Sequence, residues 1–179
     1  MLRRTALSII SGIGLRLPRL GIILFSLTAA TEWDAKYLTD EGTGYCVFGT
    51  QKADKSSISF VSMKADEKEV GVAITDPRWS FVEDKMYPDV TLGTEVGRFA
   101  PATARGIEAG LMIATTRSSL AAFVREGVKE DGTLAVYQGD KLLATFSLEG
   151  MRDKYNQFVA CDTIKFRDPA VLPKDPFKP

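Results

Sequence analysis

The sequence predicts a mainly β fold, an antiparallel β-sandwich or open barrel with two short helices, one of them C-terminal. Three observations lead there. From Gly42 to about Thr116 the apolar residues recur at a period closer to two than to 3.6, among frequent glycines and β-branched residues. Leu134 to Phe146 reads as a hairpin around a tight turn. After Thr116, and again after Ser147, the apolar spacing becomes helical.

In chain order, Tyr45-Cys46-Val47-Phe48 is an apolar run between glycines, readable as a buried strand. Ser57 to Met63 alternates as a half-buried strand with Ile58 and Phe60 inward. Lys64 to Lys68 reads as an exposed charged turn. Val70, Val72 and Ile74 then share one face of a second strand, so the two form a hairpin. Asp76-Pro77 ends it, because proline lacks the donor that a ladder needs. Trp79-Ser80-Phe81 alternates again, Glu83-Asp84-Lys85 turns, and Met86 to Leu92 follows as a strand. Pro88 predicts that this strand is an edge or starts at Asp89. Another strand is predicted from Gly110 to Thr115. Residues 97–108 carry no readable period, only small residues, Pro101 and two arginines.

Ser118 or Ser119 is expected to cap a short helix over 118–126, with Leu120, Ala121, Phe123 and Val124 buried and Gly127 as its stop. Asp131-Gly132 turns into Leu134–Tyr137, and Gln138-Gly139-Asp140-Lys141 forms the hairpin turn. Ser147 is expected to cap the last helix, near 148–160. Leu148, Met151, Tyr155, Phe158 and Val159 recur there at helical spacing, and Cys161 falls on the same inward side. The tail, 168–179, holds four prolines among charges and reads as flexible or surface-draped.

Residues 1–30 read as a secretory signal peptide. Arg16 and Arg19 precede the apolar run Leu20 to Leu27, the small residues Thr28, Ala29 and Ala30 follow, and no acid occurs before Glu32. From Leu20 to Ala30 the run is about eleven residues, where a spanning helix needs roughly twenty. An uncleaved amphipathic anchor is the rival reading. Cleavage is expected after Ala30, with Ala35 as second choice. The chain then divides into this leader, one β-rich domain over 31–167 and the tail, with no transmembrane span after cleavage. Lys and Arg together equal Asp and Glu at 23 each, so the formal charge is zero. Losing the leader takes away four arginines and no acid, which leaves a formal charge of −4. A mildly acidic domain argues against nucleic acid as a partner, since that affinity rests on neutralising phosphates.

Cys46 and Cys161 are the two cysteines. In an exported protein an even pair points to a disulfide, closing a loop of about 115 residues for on the order of 4–5 kcal/mol. A reactive thiol and two unpaired buried thiols are the other readings. The chain has no histidine. Ser-His-Asp and Cys-His hydrolysis are therefore excluded, with every zinc site that needs an imidazole. Neither S-x-x-K nor G-x-S-x-G occurs. Gly42-Thr43-Gly44 opens like a dinucleotide fingerprint, but the third glycine would have to stand at Val47. No cofactor or metal is predicted.

What remains is one cluster, Asp76, Glu83, Asp84 and Asp89 around Trp79, Phe81 and Tyr87. Aromatics that stack on sugar faces beside paired carboxyls suit glycan hydrolysis. The bland account makes the aromatics core and the acids solvated turns. Arg98, Arg105 and Arg117 would form an anion-binding stripe only if the illegible segment folds back on itself.

The final third resembles small exported alphaproteobacterial proteins of the invasion-associated locus B type. The resemblance rests on Leu120-Ala121-Ala122-Phe123, the hairpin from Leu134 to Phe146, and Phe146-Ser147-Leu148-Glu149-Gly150-Met151 leading into Phe158-Val159-Ala160-Cys161. It covers about a quarter of the chain, and this sequence has fewer cysteines than that family usually carries centrally. The resemblance implies export and a β-rich fold with a terminal helix packed on it, and it implies no catalytic constellation.

The expectation is a periplasmic or secreted, non-enzymatic envelope protein. It would bind an unknown envelope partner or ligand through loops near 76–106, at Asp76, Trp79, Glu83, Asp84, Tyr87 and Asp89. A carboxylate-dependent glycan hydrolase and a purely structural envelope protein are the alternatives.

Overall fold

A computed structural model describes residues 32–40, 43–63 and 68–167, with the side chains of 40, 43, 63 and 162–167 left aside. The predicted leader, the Lys64–Glu67 part of the predicted charged turn and the proline-containing tail lie outside the described residues. Nine strands run as β1 Trp33–Asp40, β2 Thr43–Gln51, β3 Ser57–Met63, β4 Glu69–Thr75, β5 Met86–Gly93, β6 Ala102–Ile107, β7 Gly110–Thr116, β8 Thr133–Gln138 and β9 Lys141–Ser147. Helix α1, Arg117–Gly127, follows β7, and α2, Met151–Arg167, follows β9.

The strands form one antiparallel sheet in the order β1-β2-β3-β4-β7-β6-β5-β8-β9. The fold is therefore mainly β, as predicted. The two end strands are not paired with each other, so the sheet stays open. It curls far enough for Trp33 Nε1 in β1 to donate to the Ser147 carbonyl in β9, at 2.8 Å.

Period-two burial explains the first four strands. Cys46, Phe48, Ile58, Phe60, Val70, Val72 and Ile74 fill the inner face. Phe48 stacks on Phe60 at 4.7 Å between centroids and meets Phe158 of α2 at 4.9 Å. Tyr45, Val47 and Val61 are buried on the other face with Leu38 beside them, which is why β2 reads as an unbroken apolar run. Helix α2 lies over β1 and β2. Cys46 and Cys161 are disulfide-bonded there, with Cα atoms 6.0 Å apart.

Several elements differ from expectation. Strand β1 was not foreseen; only alternate residues, Trp33 and Ala35, are fully buried on its inner face. Trp79–Phe81 is not a strand but part of a turn-rich connection. Pro88 sits in a central strand, between β6 and β8. The ladder tolerates it because the register shifts between Tyr87 and Val90, and Asp89 adopts φ 57° in that bulge. The illegible segment contains β6, buried only at the small residues Ala104 and Gly106.

Both helix starts also move. Thr116, not Ser118 or Ser119, caps α1: its Oγ1 accepts from Ser119 N at 3.1 Å. Ser147 ends β9, and its hydroxyl accepts from Glu149 N in a turn before α2 begins at Met151. Val159 is exposed, because Tyr155 and Phe158 already occupy the inward side of α2. Gly127 ends α1 without a left-handed conformation. Its role is close approach, since a Cβ on Gly97 would stand 2.9 Å from Gly127 Cα. The β8–β9 hairpin is as expected, with Gly139 at φ 55° in the first turn position.

Candidate functional site

The acid and aromatic cluster comes apart into three environments. Asp76, just beyond β4, is buried, and both carboxylate oxygens are taken by Arg78. Arg78 N also donates to Asp76 Oδ1, and Arg78 Nη2 reaches Asp54 at 3.2 Å. The hydrogen bonds from the Arg78 side chain hold the Asp76 carboxyl below the usual carboxylate range, against the opposing effect of burial. A carboxylate held this way is a structural anion. It is poorly suited to giving or taking a proton near neutrality.

Trp79, Phe81 and Tyr87 form an edge-to-face ladder, with centroids 5.4 and 4.9 Å apart. All three are partly buried against the core, and the Tyr87 hydroxyl accepts from Val82 N at 3.0 Å. Gly106 makes this possible, because a Cβ there would stand 2.2 Å from the Val82 carbonyl oxygen. Glu83, Asp84 and Asp89 are exposed on the surrounding turns. Asp84 adopts φ 59° and lies 3.7 Å from Arg105. Aromatic and acidic residues therefore share a region, while the four carboxylates do not converge on a cavity.

The arginines are likewise dispersed by their partners. Arg98 lies 5.5 Å over the Tyr137 ring, Arg105 faces Asp84, and Arg117 donates to Ser62 at 2.6 Å. No shared anion stripe results.

The cavity lies elsewhere, between α1 and the inner face of β5 and β7. It is a half-open groove with a volume of about 480 Å³, inside the roughly 300–1,000 Å³ range of small-ligand sites. Its floor is core: Val72, Val90, Leu92, Ile113 and Phe123. Its rim is polar and mixed in charge, with Thr115, Ser119, Arg98 and Glu126. Glu126 is the single acid in the lining, and Arg125 donates to it at 2.6 Å.

The segment that resisted sequence reading builds the wall. Thr94 organises a tight turn over 94–97, where Thr94 N donates to the Gly97 carbonyl at 2.7 Å. The Thr94 hydroxyl accepts from Gly97 N and donates to the Gly127 carbonyl at 2.8 Å, tying the turn to the end of α1. Phe99 N donates to the Leu92 carbonyl, and the Phe99 ring stacks on Phe123 at 4.4 Å. These wall residues were missed. One aromatic, Phe99, among small and charged neighbours was the only signal of them.

The groove also coincides with a gap in the sheet. β6 and β7 pair over Arg105–Met112, Gly106–Leu111 and Ile107–Gly110, and the ladder stops there. Comparison of the chain with protein-family models, with curated proteins and with solved structures finds no match in any of the three.

Proposed function

We propose that this is an exported envelope protein, periplasmic or secreted, which binds a ligand or partner and catalyses no reaction. The binding surface is placed at the C-terminal end of the predicted 76–106 region, where residues 94–102 wall the groove against α1. One observation carries the reading: an apolar-floored cavity with a polar rim whose single acid is already paired with a neighbouring arginine. Such a lining suits retention of an amphipathic ligand. It lacks the two facing carboxyls that glycoside hydrolysis uses. The disulfide supports export, because such bonds persist in oxidising compartments. A sheet with a terminal helix packed on it is also the layout that the resemblance to the invasion-associated locus B type implies.

The test is native mass spectrometry of the protein recovered from its own cell envelope. The parent is expected to carry a bound mass that Ala122→Trp, which fills the groove, loses while keeping its melting temperature. A parent without any bound species, or a variant that keeps it, overturns the assignment. Turnover of glycan strands by the parent would reinstate the hydrolase.

A second reading has its own observation. Val82 and Met86 are 61% and 56% exposed beside the Trp79–Phe81–Tyr87 ladder, forming an apolar patch that suits a protein partner. Alanine at Trp79 and Tyr87 is expected to reduce partner recovery with the fold intact; unchanged recovery removes that surface.

A further inference from the structure

The gap between β6 and β7 has a backbone chemistry that narrows the ligand class. At the two ends of β7, residues 109 and 117 direct main-chain groups toward the β4 side, since the Ala109 carbonyl accepts from Asp76 N and Arg117 N donates to the Lys68 carbonyl. β4 and β7 pair without interruption from Glu69–Thr116 to Thr75–Gly110. Alternate residues of an antiparallel strand face alternate neighbours. Leu111, Ile113 and Thr115 therefore bond β4, while Gly110, Met112 and Ala114 turn toward β6.

β6 gives the same phase from its other side. Gly106 directs both groups toward β5, donating to the Lys85 carbonyl at 2.7 Å and accepting from Asp84 N at 3.0 Å. Arg105 and Ile107 thus face β7, and so does Thr103. The next bonded pair after Arg105–Met112 would be Thr103–Ala114, and the ladder ends before it. The fork therefore leaves a strand edge on β7 at Ala114, an exposed residue that lines the groove.

We propose that an extended peptide segment of a partner chain enters this fork, bonds the backbone of Ala114, and places one apolar side chain on the floor formed by Leu92 and Ile113. This rests on the groove being the binding site and names its occupant. A peptide backbone supplies both the donor and the acceptor that an open strand edge lacks. Period-two alternation sends one side chain into the cavity and the next toward solvent, which matches a groove with one apolar floor and one open side. Arg98 and Glu126 put opposite charges on the rim, so a weakly charged segment fits better than a strongly acidic or basic one.

Amide hydrogen exchange followed by NMR on the disulfide-bonded protein tests this. In the free protein, Ala114 should exchange at least roughly tenfold faster than Ile113 and Thr115, whose amides lie in the β4 ladder. The probes are positional-scanning pools of N-acetylated, C-amidated pentapeptides at millimolar concentration. Pools with an aliphatic central residue should slow Ala114 by roughly tenfold. N-methylation of the central peptide amides should abolish the effect, as should Ala122→Trp. An Ala114 amide already as protected as Ile113 would overturn the fork itself. Pools that perturb the Leu92 and Ile113 methyl signals but leave Ala114 exchange unchanged would overturn strand addition while sparing the groove as a binding site. No response at either place would overturn both.

Discussion

The β1–β4 half of the sheet and the β5–β7 part are held together differently. Under α2, β2 and β3 carry a closed aromatic stack of Phe48, Phe60 and Phe158, fully paired ladders and a disulfide joining sheet to helix. Under α1, β5 is bulged, β6 and β7 part after three residue pairs, and the helix is tied to the sheet by a threonine-centred turn and one aromatic pair. The first region removes apolar surface from water on every side. The second leaves a cavity above its floor. Within one continuous sheet the two regions differ in how far apolar surface is sealed: interrupted pairing leaves a cavity where neighbouring ladders can bear the loss.

That contrast can be broken by substitution. The largest effect is expected at the disulfide, where Cys46→Ala with Cys161→Ala should cost on the order of 4–5 kcal/mol in urea unfolding, because the bond closes a 115-residue separation. Phe48→Ala should cost about 3–5 kcal/mol, being fully buried with rings on two sides. In the groove, Phe99→Ala should cost only about 1 kcal/mol, since a partly exposed ring loses one stacked partner. A Phe99 variant as damaging as Phe48→Ala would erase the distinction.

Between these extremes stands Asp76, at the junction of the two regions. Asp76→Ala should cost about 2 kcal/mol near neutrality, because it removes charge-assisted hydrogen bonds from Arg78. Its carboxyl titrates lower in the folded protein than in the unfolded chain. The unfolded state therefore binds the proton first on acidification, and the stabilisation is complete above the ordinary range near about pH 4. It is lost as pH falls through the lowered folded value. The stability difference between parent and Asp76→Ala should shrink accordingly in acid, and a pH-independent difference would contradict the clamp.

The smallest change sharpens the comparison from the other side. Thr50 Oγ1 is buried and makes no hydrogen bond among the described residues. Thr50→Val, nearly isosteric, should leave stability unchanged or raise it by about 1 kcal/mol. Marked destabilisation would mean that the hydroxyl has a partner.

Legibility divides along the same line. β3 and β4 were readable because Ile58 and Phe60, then Val70, Val72 and Ile74, meet one continuous core at alternate positions. The β8–β9 hairpin was readable because Gly139 supplies a turn that few other residues adopt. β6 was unreadable, since its buried positions are Ala104 and Gly106, too small to register as an apolar stripe. Pro88 misled for a physical reason: a bulge removes the donor requirement locally, so proline entered a central strand. The acids around Trp79 were correctly seen as neighbours in sequence, but a turn-rich segment points adjacent side chains in different directions.

By itself, the residue order determined the class of fold and the inward faces of the central strands, and it offered the two cysteines as a candidate pair that the structure joins. Alternation and composition act over a few residues, and one chain with two cysteines has one intramolecular pairing. Only the tertiary structure decided that Asp76 is neutralised by Arg78, that β6 and β7 part company beyond Arg105 and Met112, and that α1 and the 94–97 turn enclose a groove there. A cavity is the space left between elements distant in sequence. Its shape depends on where pairing ends, which no local pattern encodes.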